Sequence, residues 1–107
     1  MMVTEQVLRE AVRRLVEGFQ PQRIILFGSQ ARGTADEHSD VDLLVICPVN
    51  GERLELMLAM DRALQGLRIA RDIVILTAEE FELDRHIPGT IARPAALEGR
   101  VLYDRAA

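Results

Sequence analysis

With 107 residues the chain has the size of one small domain, and 49% hydrophobic residues are enough to build its core. A net charge of −4, from 17 acidic and 13 basic residues, argues against a domain that grips nucleic acid directly. It leaves a nucleotide substrate open, since a bound divalent metal inverts the local charge. No apolar run reaches the ~18 residues of a membrane span, the charged N-terminus lacks a secretory h-region, and Cys47 has no disulfide partner. A cytoplasmic protein is the simplest reading.

Thr4 is placed to cap a helix running to about residue 19, on which Val7, Leu8, Ala11, Val12, Leu15 and Phe19 recur at helical spacing. Gly18 and Pro21 mark its end. Residues 23–28, RIILFG, form a short apolar run bounded by breakers and read as a buried strand. SQARG has room for one helical turn, and TADEHS is loop, with His38 a solvated side chain. Residues 41–47 are a second strand stopped by Pro48, with Cys47 a small core residue. Over residues 52–67 a helix is expected, with Leu56, Met57, Met60, Ala63, Leu64 and Leu67 on one stripe. Leu54 and Leu58 fall outside that stripe; the expectation is that they cover a wider core, and the alternative is an exposed patch for a partner. Residues 72–76 are the third strand, and Thr77 with Glu80 forms a capping box that opens another helix. His86 falls in the loop before Pro88-Gly89, and neither histidine has zinc-site spacing. Residues 91–97 are helical, with Pro94 tolerated in a first turn, and RVLY after Gly99 forms a last short strand.

The chemistry concentrates in one pattern: Gly28-Ser29, ten residues, then Asp40 and Asp42 one residue apart at the head of a strand. A strand alternates its faces, so the two carboxylates point the same way and repel unless a positive charge lies between them. Glycine after a strand lets backbone approach a ligand closely, and a helical turn starting at Ser29 favours a phosphate. Hard oxygen ligands suit Mg²⁺, which takes one or two carboxylates plus substrate phosphates. If the third strand pairs beside the second, Asp72 joins the other two, and three carboxylates can hold two metal ions for an in-line displacement. The bland readings are surface carboxylates at a loop end for Asp40 and Asp42, and for Asp72 a strand-edge residue paired with Arg71 or a polar residue of a helix-loop junction. Arg32 stands open between a phosphate contact and a solvated side chain.

LFGSQARGTADEHSDVDLLV, RDIVIL and ALEGRVLYD together resemble the minimal nucleotidyltransferases, often called MNT, of the superfamily that shares the DNA polymerase beta palm. The resemblance runs from about residue 23 to 104. It implies an α+β fold of the palm-like nucleotidyltransferase type: a mixed, twisted sheet of three or four strands with helices mainly on one face, in a single domain over residues 1–107. It also implies roles. Gly28 and Ser29 bind the triphosphate, Asp40 and Asp42 ligate Mg²⁺, and Asp72 is the third ligand and helps deprotonate the acceptor hydroxyl. The family transfers a nucleoside monophosphate, usually AMP from ATP, to a hydroxyl and releases pyrophosphate.

A palm-like domain alone leaves its acceptor unoriented, and orientation supplies much of an enzyme's rate. The missing half is expected from a homo-oligomer or another protein. Minimal nucleotidyltransferases are commonly paired with a small all-helical HEPN ribonuclease in a toxin-antitoxin system, silencing it by adding AMP to a tyrosine. The first reading is therefore a protein adenylyltransferase antitoxin. A binding module that neutralises its partner by covering it is the second, and transfer to a small molecule such as an aminoglycoside the third.

Overall fold

The computed structural model describes residues 4–35 and 39–107, so the expectation for His38 lies outside the described residues. Thr4 accepts the Val7 N–H at 3.2 Å and opens α1 (Glu5–Phe19), which buries Leu8, Ala11 and Leu15. The helix breaks at Gln20, left-handed at φ 50°, rather than at Gly18. Pro21 then turns the chain into β1 (Arg23–Phe27), followed by the four-residue α2 (Ser29–Arg32) and β2 (Val41–Ile46). The second long helix, α3 (Arg53–Ala63), leads to β3 (Arg71–Leu76), α4 (Ala78–Asp84), α5 (Ala92–Glu98) and β4 (Arg100–Asp104). Thr77 and Glu80 form the expected capping box at the start of α4.

The four strands make one mixed sheet in the order β3-β2-β1-β4. β1 runs antiparallel to both β2 and β4, while β2 and β3 are parallel and joined through α3, the crossover that a parallel pair requires. On one face Ile24, Leu26, Leu43, Val45 and Ile75 pack under the long helices α1 and α3 with Leu15, Met60 and Leu64. On the other, Ile25, Leu44 and Ile46 meet Phe81 of α4 and Ala92 and Ala95 of α5. Thus the two long helices share one face, and the opposite face carries the seven-residue helices α4 and α5. Cys47 is buried, as expected of a small core residue.

α3 ends earlier than its apolar stripe suggests. Leu64 caps it, and the chain turns through Gly66 at φ 93° and Arg68 at φ 56°, yet Leu64 and Leu67 still pack against the core. The expectation that Leu54 and Leu58 cover a wider core is wrong: they are 60% and 44% exposed. α3 meets the sheet through Met57, Met60 and Leu64; these two leucines lie off that stripe, Leu54 bordering a groove beside β3.

Two local contacts yield predictions. Gly99 ends α5 by donating to the Ala95 carbonyl, and a Cβ there would collide with that oxygen and with the Ile25 methyl Cγ2. Gly99→Ala is expected to cost about 2 kcal/mol, roughly a 10 °C fall in Tm by scanning calorimetry. Arg53 clasps Glu80 at 2.8 and 2.9 Å, and this pairing, helped by the Thr77 N–H, holds the Glu80 carboxyl at about 2. Its contribution is present above the ordinary carboxylate value of 4.5 and is lost as pH falls from there towards 2. Glu80→Gln keeps a capping side chain but removes the charge. Because the pair is partly exposed and screened, the expected loss at neutral pH is ~0.5–1 kcal/mol, disappearing in melts taken near pH 2.

Candidate active site

The site grows from the register of three strands. Phe27, the last residue of β1, stands opposite Asp42 of β2, and Asp42 stands opposite Asp72 of β3. The Val41 N–H donates to the Ala70 carbonyl at 2.8 Å, which fixes that register at the head of both strands. Asp42 and Asp72 fall on the sheet face that carries the short helices, and Asp72 is exposed. Asp40, also exposed, precedes β2 by one residue.

Burial first, then the charges of Asp72 and Asp40, push the Asp42 carboxyl above its ordinary value. The Arg32 guanidinium pulls it the other way. Two acids and one arginine therefore act on the Asp42 carboxyl at this end of the sheet. Arg71 does not pair with Asp72; it is held by Asp61, with Nε 2.9 Å from Oδ1 and Nη2 2.9 Å from the Asp61 carbonyl. The bland reading of Asp72 as a partner of Arg71 is thereby removed.

Gly28 adopts φ 75°, ψ −157°, a region that side chains avoid. A Cβ built on it would overlap the Asp42 carboxylate oxygen Oδ2, so the turn and the carboxylate touch only because residue 28 is glycine. The Gly28 carbonyl accepts the N–H groups of Ala31 and Arg32, both at 3.1 Å, and closes the single turn of α2 that begins at Ser29.

Two supports were not read from the sequence. Gln30 Nε2 donates to the Ser39 carbonyl at 3.3 Å, bracing α2 against the residue before Asp40. Arg32 Nη1 lies 3.5 Å from Glu98 Oε2 of α5. Nothing in the spacing signals Gln30; Glu98 lies in ALEGRVLYD, a segment whose resemblance was visible but whose role was not.

Among the described residues no three His, Cys, Asp or Glu side chains converge tightly enough to cage a metal ion unaided. The donor set still suits a hard divalent cation. Its oxygens are carboxylates, and their mutual repulsion at Asp42 is what a cation relieves. A Mg²⁺ site shared with substrate phosphates needs no closed protein cage.

A four-stranded mixed sheet with a glycine turn and strand-head carboxylates at one end defines a palm-like domain of the nucleotidyl-transfer class. The nucleotidyltransferase domain family matches residues 6–97, and the chain belongs to that family: it is a nucleotidyltransferase, an enzyme acting on a nucleoside triphosphate. The chain is 32% identical over 105 residues to "Putative protein adenylyltransferase MJ0604" of Methanocaldococcus jannaschii, covering 95% of this chain and 100% of that relative. A solved "putative nucleotidyltransferase from Sulfolobus solfataricus" superposes with a TM-score of 0.66 at 20% identity, over 94% of this chain and 80% of that one. A solved toxin-antitoxin with AMP-PNP superposes with a TM-score of 0.60 at 23% identity, over 90% of this chain and 72% of that one. At these identities the solved structures speak for the fold.

Proposed function

We propose that the protein transfers AMP from Mg-ATP to a hydroxyl of a partner protein, a tyrosine of a HEPN-type toxin, and acts as that toxin's antitoxin. The observation that carries this reading is the pairing of Asp42 with Asp72 across β2 and β3, directly against the Gly28 turn. The relative named as a protein adenylyltransferase and the solved toxin-antitoxin bound to an ATP analogue support the choice of donor and acceptor class.

In this reading Gly28 and Ser29 hold the triphosphate, and Arg32 offsets its charge. Asp40, Asp42 and Asp72 are the residues that would hold Mg²⁺, two ions being the expected number. Bound there, the metal supplies charge neutralisation at the phosphates. The acceptor oxygen attacks the α-phosphorus in line, the bond from that phosphorus to the bridging oxygen breaks, and pyrophosphate leaves. The hydroxyl proton passes to the Asp72 carboxylate, which is exposed and therefore open to the acceptor.

The test is to incubate the protein with Mg-ATP and the candidate toxin and measure intact masses. One added AMP per toxin chain is expected, and an unmodified toxin in a stable complex would refute the reading. Asp40→Asn with Asp42→Asn should abolish the mass gain and neutralisation together while leaving complex formation intact. Full neutralisation by that double variant would instead favour a module that acts by covering its partner.

A further inference from the structure

The sheet has two edges, and they are not alike. β4 carries a register shift opposite Ile24 and Ile25, with arginines at residues 100 and 105, features that discourage another strand from pairing. β3 pairs with β2 in unbroken register from Arg71 to Leu76, contains no proline, and is apolar from Ile73 onward. The Val41 N–H bonds the Ala70 carbonyl and the Cys47 N–H bonds the Leu76 carbonyl, so even-numbered β3 residues face β2. The backbone groups of Arg71, Ile73 and Ile75 therefore face outward. Arg53 covers the Ile75 carbonyl at 2.7 Å, while among the described residues nothing hydrogen-bonds the outward N–H and C=O of Ile73. Beside this gap runs a groove of about 330 Å³ lined by Arg53, Leu54, Met57, Ile73, Val74 and Ile75. Leu54 at its rim and Leu58 one turn along α3 are the exposed leucines already noted.

We propose that this edge docks the acceptor: an extended segment of the partner adds to β3 as a fifth strand, with a hydroxyl residue between two apolar ones. The inference rests on the adenylyl-transfer reading and deepens it. Asp72 lies on the same strand as the open edge, and residues directly opposite one another on paired strands share a face, their Cβ atoms about 5 Å apart. A side chain opposite Asp72 stands beside the carboxylates. Its two neighbours point to the other face, towards Leu54, Met57 and Ile73. Main-chain bonding would supply affinity and the alternating side chains selectivity. The exposed apolar side of α3 and the open strand edge thus answer one need, orientation of the acceptor.

The probes are ten-residue peptides with one tyrosine flanked by two valines or by two serines, incubated with the full chain and Mg-ATP and read by mass for added AMP. Wild type should prefer the valine-flanked peptide by about tenfold or more in kcat/KM. Leu54→Glu, at an exposed site, and Ile73→Pro, which removes the outward N–H, should each lose that preference with Mg-ATP affinity unchanged. Equal use of both peptides by wild type, or an unchanged preference in both variants, overturns the docking site. If Mg-ATP binds but neither peptide is modified, amide exchange with millimolar valine-flanked peptide decides. Protection across residues 71–75 upholds the docking edge and counts against transfer to a protein hydroxyl; no protection there overturns the docking edge.

Discussion

Asp42→Asn is expected to lose AMP transfer by at least ~10³-fold and to melt at a higher temperature than wild type. Both effects come from the same geometry. Asp42 is the central acid, with Asp72 opposite it in the register and Asp40 two residues before it, so its removal breaks the proposed ligand set. Its carboxyl is raised by burial and by those two neighbours, which means that the folded chain holds the proton more tightly than the unfolded chain does. Folding stability is then lost as pH rises from the ordinary carboxylate range through the raised value, and the loss persists at neutral pH. Asparagine keeps the shape and removes the repulsion. Allowing for solvent screening at a partly exposed group, the gain is roughly 0.5 kcal/mol, about 2–4 °C in Tm. Calorimetry of both proteins without metal, from about pH 4 to pH 8, should show the difference growing with pH. A variant less stable than wild type at every pH would mean that Asp42 is held by favourable contacts and not by a cluster awaiting a cation.

The second large effect is expected at Gly28, through strain and displacement together. Gly28→Ala forces a side chain into φ 75°, ψ −157° and drives its Cβ into Asp42 Oδ2. The backbone term costs about 2–3 kcal/mol, so Tm should fall by roughly 10–20 °C. The carboxylate must also move, and a shift of about 1 Å costs on the order of 10²-fold in rate. Thermal melts and single-turnover AMP transfer below the melting range separate the two losses. Adding Gly28→Ala to Asp42→Asn should change the rate little further, since both act on one carboxylate.

Much of this was legible in the sequence. Thr4, Pro21, the Thr77–Glu80 capping box and Gly99 are local signals, decided by backbone groups a few residues away, and they hold in the fold. Asp40 and Asp42 could be placed on one face because a strand alternates. Asp72 could be placed near them only if β3 lay beside β2, and no local pattern dictates that; the family resemblance and then the register supplied it. The failure at Leu54 and Leu58 has the same origin. Apolar character gives a reason to be buried, but whether another element lies over that flank of α3 is a property of the whole chain. Arg71 illustrates it again: next to Asp72 in sequence, it pairs with Asp61 across a ten-residue separation.

The most direct test of the central claim is a crystal of the protein grown with Mn²⁺ and a non-hydrolysable ATP analogue, with the metal located by its anomalous scattering. The account predicts a peak within coordination distance of the Asp40 and Asp42 carboxylates on the side facing Asp72, with the triphosphate against Gly28 and Ser29. A metal and nucleotide seated elsewhere on the chain, with those carboxylates unliganded, would contradict it.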